Sequence, residues 1–227
     1  MSCRVYLVRH GETEWNITMK AQGHIDVPLS DHGRRQADFL GKRLAVEKFD
    51  GFYASDLTRA IETAKIISKH HNLELEALPE LRELDFGDWE GMTIEEVAAL
   101  FEDDLKRWWE NPLSVRIPGG ETVGEMAQRC LGALKQIVSR HTGGNVLIVS
   151  HGGPIRAITA SILEMDLNKY WRLRMDNACL SIIDFPEWEK GILMIAAILP
   201  SSTAKIQITL KKRARINHKS MRQSLPL

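Results

Sequence analysis

The stretch that decides the fold is VYLVRHGETEWN, residues 5–16. Its first four residues, Val5 to Val8, form the short apolar run that is typical of a buried parallel strand. Arg9, His10 and Gly11 follow at once. The strand therefore brings a cation and an imidazole to one point, and the rest of the chain should show what meets them there.

Strand and helix patterns alternate beyond this stretch. Further strands are predicted at 52–55, 73–78, 145–150, 179–185 and 192–199. Helices are predicted at about 30–48, 57–70, 93–101, 103–110 and 121–140, and another begins near Pro154. The alternation predicts an α/β fold with three α/β/α layers and a mixed, mostly parallel sheet. Because no repeat or linker precedes residue 200, we expect one domain over 1–199 and a tail over 200–227.

Composition limits the class of protein. A chain of 227 residues with 44% hydrophobic and 26% charged residues is typical of a globular protein with a substantial core. It has three cysteines and no C-x-x-C pair, which argues against a disulfide framework and predicts a cytoplasmic location. No signal peptide is evident, and the longest apolar run near the C-terminus is far shorter than the roughly 20 residues that span a bilayer. We therefore expect no membrane association.

The net charge is zero, but the charges are unevenly distributed. From Leu199 onward the chain has seven basic residues and no acidic one, so residues 1–198 carry 23 basic and 30 acidic residues. We interpret the basic tail as a solvated, flexible appendage. Its KKRAR stretch lacks the aromatic residues that stack on bases, so we expect no nucleic-acid partner.

Several catalytic motifs are absent from the sequence. There is no phosphate-binding G-x-x-x-x-G-K-[ST] loop, no G-x-G-x-x-G turn, no G-x-S-x-G elbow and no H-E-x-x-H helix. Residues 10–12 match the H-x-E of a zinc deaminase, but the accompanying P-C-x-x-C is missing. These absences argue against nucleotide-driven chemistry, serine hydrolysis and zinc catalysis, and we expect neither a metal nor a cofactor.

Two predicted strands end in the same pattern. His10 follows the first strand, and His151 follows the strand at 145–150. Since the carboxyl ends of parallel strands meet at one edge of a sheet, these histidines should lie close together. Arg9 accompanies His10, and Arg59 lies about one turn inside the helix after the strand at 52–55. Two guanidiniums at such a point would repel each other unless an anion lay between them, and their bidentate geometry suits a phosphoryl group.

Four blocks of the sequence resemble the signature blocks of the histidine phosphatase superfamily, in its phosphoglycerate-mutase-like branch. They are YLVRHGETEWN (6–16), SDLTRAIETA (55–64), LRELDFGDWEG (81–91) and VSHGG (149–153), in family order, and the resemblance covers roughly residues 4–185. It implies a phosphoglycerate-mutase-like fold, His10 as the nucleophile that forms phosphohistidine, and Glu83 as the proton donor. It also implies that Arg9, Arg59 and His151 hold the phosphate, and that Asn16, Gln22, Gly23 and the Gly152 amide bind substrate. Only this resemblance distinguishes Glu83 from the other acidic residues of its loop.

The implied mechanism is chemically consistent. His10 can attack phosphorus only through an unprotonated nitrogen, which nearby cations favour by lowering its pKa. A hydrogen bond from its other nitrogen to a main-chain carbonyl would fix the tautomer. Arg9, Arg59 and His151, the last as an imidazolium, would stabilise the transferring phosphoryl group. Glu83 would protonate the leaving oxygen and then activate water.

The family resemblance leaves several activities open. The mutases of the family carry a longer insertion with paired arginines. Hydrolysis is favoured over mutase activity, because this region offers Lys106, Arg107 and Arg116 but no equivalent pair. LRELDFGDWEGMTIEEV (81–97), hereafter the acid block, and PGGETV (118–123) are most similar to the α-ribazole phosphatases of cobalamin biosynthesis. We therefore hypothesise a phosphatase of a small-molecule phosphomonoester, α-ribazole 5'-phosphate, in a monomer or homodimer. The alternatives are a broad-specificity sugar-phosphate phosphatase, a phosphoglycerate mutase and a non-catalytic regulator that binds phosphorylated ligands.

Overall fold

The computed structural model describes residues 2–198 of the chain. In this part of the chain six strands form one sheet: β1 (Cys3–Arg9), β2 (Gly51–Ala54), β3 (Leu75–Ala77), β4 (Asn145–Ser150), β5 (Leu180–Phe185) and β6 (Ile192–Ile198). Their order is β3-β2-β4-β1-β5-β6, and the first four run parallel while β5 and β6 are antiparallel to their neighbours. The predicted α/β class with a mixed, mostly parallel sheet is confirmed.

Seven α-helices accompany the strands over residues 2–198. They are α1 (Glu14–Ile17), α2 (Asp31–Leu44), α3 (Thr58–Ser68), α4 (Ile94–Leu100), α5 (Glu102–Glu110), α6 (Val123–Arg140) and α7 (Gly152–Ile162). Short 3₁₀ turns occur at Pro79–Leu81, Gly87–Trp89, Leu167–Arg172 and Trp188–Lys190. Ser30 is the N-cap of α2, as expected, and its hydroxyl accepts a hydrogen bond from Gly33 N (3.0 Å).

The side chains of β1 enter both cores. Val5 and Leu7 face the cluster that includes residues of α6 and α7, whereas Tyr6 and Val8 face the cluster that includes residues of α2 and α3. All four side chains are at most 1% exposed, and burying a side chain of this kind stabilises a fold by roughly 1.5–3 kcal/mol. The apolar run is therefore continuous because both faces of the strand are covered, which confirms the three-layer arrangement.

Some predicted boundaries are too wide. The helix predicted over 30–48 ends at Leu44, and the strand predicted over 73–78 shortens to Leu75–Ala77. β3 lies at the edge of the sheet, where only β2 pairs with it, so fewer of its residues enter a ladder. The end of the predicted domain at 199 and the predicted tail over 200–227 lie outside the described residues.

The pairing of β1 with β4 positions the site. Their parallel register aligns Arg9 with Ser150, so His10 and His151 leave the sheet side by side. Ser55, just after β2, continues the ladder by donating from its amide to Val149 O (2.9 Å). Three strand ends thus meet at one edge. No helix of residues 2–198 is both long and apolar enough to cross a membrane.

Candidate active site

His10 is held in one orientation and one tautomer. Its side chain is buried, and Nδ1 lies 2.7 Å from the carbonyl oxygen of Gly11. Because a carbonyl can only accept, Nδ1 carries the proton and Nε2 keeps its lone pair. The backbone is fixed as well, since His10 N donates to Ser150 O (3.0 Å) and His10 O accepts from Ala178 N (3.1 Å). The expected main-chain acceptor is therefore Gly11.

The surroundings of His10 favour the neutral imidazole. Burial lowers its pKa well below the ordinary value, and the positive charges of Arg59 and Arg9 lower the pKa further. Within the described residues Nε2 makes no hydrogen bond. The imidazole thus offers a free, unprotonated nitrogen at neutral pH.

His151 lies beside His10, and the centroids of the two rings are 5.2 Å apart. Arg59 Nε donates to His151 Nδ1 (3.2 Å), so Nδ1 is an acceptor and the proton lies on Nε2. Burial and the charge of Arg59 lower the pKa of His151 well below its ordinary value. The expectation that His151 is an imidazolium is therefore wrong for this arrangement. It can serve instead as a neutral donor through Nε2.

Arg59 is fully buried in the first turn of α3. Besides the bond to His151, its guanidinium donates to Gly23 O (2.6 Å) and Ile25 O (3.1 Å). Burial lowers the pKa of Arg59 to about 10, which leaves the group charged at neutral pH. Thr63 joins Arg59 to the nucleophile's turn, because its hydroxyl donates to Arg59 O (2.7 Å) and accepts from Gly11 N (3.0 Å).

Gly23 contributes its backbone to the site. A Cβ at this position would lie 2.1 Å from Glu90 Oε1, so the close approach requires glycine. The Glu90 carboxylate accepts from the amides of His24 and Ile25 (both 2.6 Å). Glu90 thereby fixes the loop whose carbonyls hold Arg59, a role that the sequence analysis did not predict.

Arg9 points along the same edge. Its Nη1 donates to Met175 O (2.6 Å), and its Nε is buried without an acceptor among the described residues. Burial lowers the pKa of Arg9, and the neighbouring charge of Glu83 opposes this change. Gly152 adds the first amide of α7, a position at which backbone N–H groups have no partner within the helix.

Glu83 approaches this edge from the segment 80–90, hereafter the acid loop. Its carboxylate accepts from Gly153 N through both oxygens (3.0 and 3.1 Å) and from Leu84 N (2.8 Å). The side chain is 9% exposed. A carboxylate is therefore fixed at the N-terminus of α7, beside the amide of Gly152 and near Arg9 and Arg59.

A network of amides surrounds the nucleophile's turn. Gln22 Oε1 accepts from Thr13 Oγ1 (3.0 Å) and Asn16 Nδ2 (3.3 Å). Asn177 Nδ2 donates to Asn16 Oδ1 (2.9 Å) and lies 3.3 Å from His10 O.

Asn177 was missed by the sequence analysis, because a single asparagine in an irregular segment gives no periodic signal. Thr63 could have been found from its i+4 spacing to Arg59.

Three of these residues carry buried donors that find no acceptor within residues 2–198: Arg9 Nε, His151 Nε2 and Gln22 Nε2. A buried donor without a partner costs about 1–3 kcal/mol, so such groups call for an explanation. The oxygens of a bound anion are suitable acceptors for donors of this kind. Within residues 2–198, no group of three or more His, Cys, Asp or Glu side chains could hold a metal ion. The arrangement suits a phosphoryl group bound beside a neutral histidine.

Fold and site together define a class of protein, an α/β enzyme that handles phosphoryl groups. Comparison with known families matches residues 5–197 to the histidine phosphatase superfamily (branch 1). Phosphoserine phosphatase 1 of Hydrogenobacter thermophilus is 38% identical over 192 residues, 85% of this chain and 91% of that protein. Phosphoglycerate mutase-like protein 4 of Arabidopsis thaliana is 42% identical over 157 residues, 68% of each chain.

A solved structure, the α-ribazole phosphatase from Shigella flexneri, superposes with a TM-score of 0.79 at 30% identity and covers 86% of this chain and 96% of its own. The chain belongs to the histidine phosphatase superfamily, and it is a phosphatase with the phosphoglycerate-mutase-like fold.

Proposed function

We propose that the protein hydrolyses small phosphomonoesters in two steps, with a phosphohistidine intermediate on His10 and Glu83 as proton donor. One observation carries this proposal. The Nδ1 bond to Gly11 O leaves Nε2 unprotonated in a pocket where two guanidiniums favour the neutral imidazole. This is the state that a histidine nucleophile needs at neutral pH.

In the first step, His10 Nε2 bonds to phosphorus and the bond from phosphorus to the ester oxygen breaks. Glu83 gives its proton to that oxygen, so the alcohol leaves uncharged. Arg9, Arg59 and the Nε2–H of His151 donate to the other phosphoryl oxygens. At about 4 Å a contact between either guanidinium and a phosphoryl oxygen anion is worth roughly 4 kcal/mol at an effective dielectric near 20.

In the second step, water replaces the histidine on phosphorus. The Glu83 carboxylate accepts a proton from this water, whose oxygen bonds to phosphorus as the bond to Nε2 breaks. Inorganic phosphate leaves and His10 regains its lone pair. No step requires a metal or an organic cofactor.

The arginines between the acid loop and α6 support hydrolysis over mutase activity. Arg107 pairs with Asp104 within α5, and Arg116 pairs with Glu125 and donates to Gly120 O (2.8 Å). Both are committed to local ion pairs on the surface, and their side chains are more than half exposed. In this structure both guanidiniums contact acidic groups of the chain itself.

Two substrates deserve direct comparison, α-ribazole 5'-phosphate and phosphoserine. α-Ribazole 5'-phosphate is supported by the similarity of the acid block and by the α-ribazole phosphatase that is 30% identical to this chain. Phosphoserine is supported by the phosphoserine phosphatase that is 38% identical. The tryptophans give α-ribazole little support. Trp89 and Trp108 are 3% and 7% exposed in the core, which leaves Trp109, 44% exposed, as the one residue of these three that could stack on a benzimidazole ring. A cytoplasmic location is supported by the three free thiols, Cys3, Cys130 and Cys179.

The proposal is tested by measuring the hydrolysis of p-nitrophenyl phosphate by the wild type and by the variant H10A. We expect H10A to lose activity by at least about 10⁴-fold, as for removal of other nucleophiles. A rapid acid-free quench of the wild type should trap phosphate on His10 that is labile to acid and stable to base. Equal, slow hydrolysis by both proteins would refute the proposal and would favour a non-catalytic, ligand-binding role.

A second assay separates substrates and activities. The wild type is screened for kcat/KM against α-ribazole 5'-phosphate, phosphoserine, sugar phosphates and 3-phosphoglycerate. We expect free phosphate from the substrates that react. Formation of 2-phosphoglycerate without free phosphate would identify a mutase.

A further inference from the structure

Arg129, on α6, lies behind the acid loop and donates to its backbone at three points. Nη1 donates to the carbonyl oxygens of Glu80 (2.8 Å) and Arg82 (2.7 Å), and Nη2 donates to that of Glu83 (2.7 Å). The guanidinium thus contacts the main chain of the proposed proton donor from 46 positions away in sequence. Three bonds from one rigid, planar group fix the path of this short segment.

Glu121 holds the acid loop on the other side of Glu83. Its carboxylate accepts from Arg129 Nε (3.1 Å) and Nη2 (2.5 Å). The same carboxylate accepts from Asp85 N (3.0 Å), and Glu121 N donates to Asp85 O (3.1 Å). The ion pair therefore holds the loop both before and after the residue that carries the acid.

The position of the Glu83 carboxylate depends on the position of its backbone. Among residues 2–198, the Glu83 carboxylate forms no ion pair, and it is held by the two amides of Leu84 and Gly153. Its carbonyl oxygen accepts from Arg129 and lies 3.0 Å from His24 Nε2. A shift of the loop would carry the carboxyl group away from the leaving oxygen.

We propose that Arg129, paired with Glu121, is a positioning residue that keeps Glu83 where it can protonate the leaving group. This inference rests on the proposed function, in which Glu83 is the proton donor. Arg129 itself contacts neither the phosphoryl group nor the reacting atoms, and acts only through the acid loop.

A positioning role of this kind predicts an effect that depends on the leaving group. Proton donation matters most when the leaving oxygen is basic, as in phenyl phosphate, and least for p-nitrophenolate, which leaves readily as an anion. The two substrates have similar shapes, and kcat/KM reports the step in which the leaving group departs. A contact that only stabilised the fold would affect both substrates equally.

The test variant is R129M/E121Q, which removes both charges and leaves no unpaired buried ion. We expect kcat/KM for phenyl phosphate to fall about 10- to 100-fold, and that for p-nitrophenyl phosphate to fall less than about threefold. R129K keeps a charge that reaches part of the loop, so it should show a smaller effect of the same kind. If R129M/E121Q does not fold, the ratio of the two kcat/KM values is measured on R129K instead.

The matched control is R4M/D184N. The Arg4–Asp184 pair is also bidentate (2.6 and 2.7 Å), and its side chains are 16% and 17% exposed, against 21% and 14% for Arg129 and Glu121. It lies at the start of β1, away from the strand ends that form the site. We expect this variant to leave the ratio of the two kcat/KM values unchanged.

The outcomes are distinguishable. Equal losses on both substrates, or a change in ratio no larger than in R4M/D184N, would overturn the positioning role while leaving the proposed function intact. In the E83Q background no acid remains to be positioned, so R129M/E121Q should not change the ratio of the two kcat/KM values further. A further change of this ratio would also overturn the positioning role. If H10A equals the wild type, the proposed function fails and this inference fails with it.

Discussion

The two sides of the site are held in different ways. His10 and His151 follow adjacent buried strands, and the parallel ladder of β1 and β4 fixes their backbones. The acid loop contains only short 3₁₀ turns, and its backbone is held by side chains of Arg129 and Glu121. The histidine side is therefore fixed by strand pairing, whereas the backbone of the acid side is held by individual polar contacts in addition to the buried side chains of Leu81 and Leu84.

On the acid side, the largest effect should come from removing the proton of Glu83 while keeping the shape of its side chain. In Glu83→Gln the amide oxygen can still accept a hydrogen bond from Gly153 N. The amide group cannot give or take up the catalytic proton. We expect kcat for phenyl phosphate to fall about 10²- to 10⁴-fold. Because water attack also needs the carboxylate, p-nitrophenyl phosphate should give a burst of one product per enzyme followed by slow turnover. Unchanged steady-state turnover would show that another residue is the acid.

A smaller loss should follow from crowding the acid loop. A Cβ on Gly153 would lie 2.1 Å from Glu83 Oε1 and 3.1 Å from Met126 Sδ, so the carboxylate must move in Gly153→Ala. We expect kcat/KM to fall about 10- to 100-fold. The control is Gly132→Ala on α6, where nothing lies within 4 Å of the added Cβ. This control should stabilise the protein by up to about 1 kcal/mol and keep full activity. Full activity in G153A would contradict the geometry of the acid side.

The histidine side predicts a pH-dependent stability. Burial holds the pKa of His10 and of His151 well below the ordinary 6.5, so below that pH the unfolded chain binds more protons than the folded one. The free energy of unfolding should be level above about pH 6.5 and should fall by up to about 1.4 kcal/mol per pH unit per imidazole below it. Urea unfolding at several pH values measures this slope. His10→Gln should reduce the slope.

The smallest effect concerns the tail. All proposed catalytic residues lie between 9 and 151, so removing residues 200–227 should change kcat/KM by less than about twofold. The measurement is kcat/KM of the truncated and full-length chains on p-nitrophenyl phosphate. A loss as large as that expected for G153A would contradict the assignment of the tail as dispensable.

The histidine side could be predicted from the sequence because its residues follow directly from secondary structure. The apolar runs of β1 and β4 give the strands, a parallel sheet places their ends together, and Arg59 follows from its place in the first turn of α3. The hydrogen on His151 could not be placed in this way. It depends on which nitrogen faces Arg59, which is a matter of side-chain geometry.

The acid side could not be derived from local patterns. Glu83 lies among several carboxylates in one irregular loop, and only the family resemblance selects it. Arg129 and Glu121 lie about 40 residues further along the chain, and neither the periodicity of α6 around Arg129 nor the segment that contains Glu121 points to the loop they hold. Asn177 is a similar case, because its contact with Asn16 spans 161 positions.

The register of β1 against β4 also sets when this enzyme can become active. The ladder joins Arg4 to Asn145, so its formation closes a loop of about 140 residues, and such distant pairings are slow to form. On the ribosome His10 is made about 140 residues before its neighbour His151. A nascent chain that ends before β4 holds His10 without its pocket. Catalytic activity should therefore arise late and all at once, which would make it a sensitive reporter of complete folding.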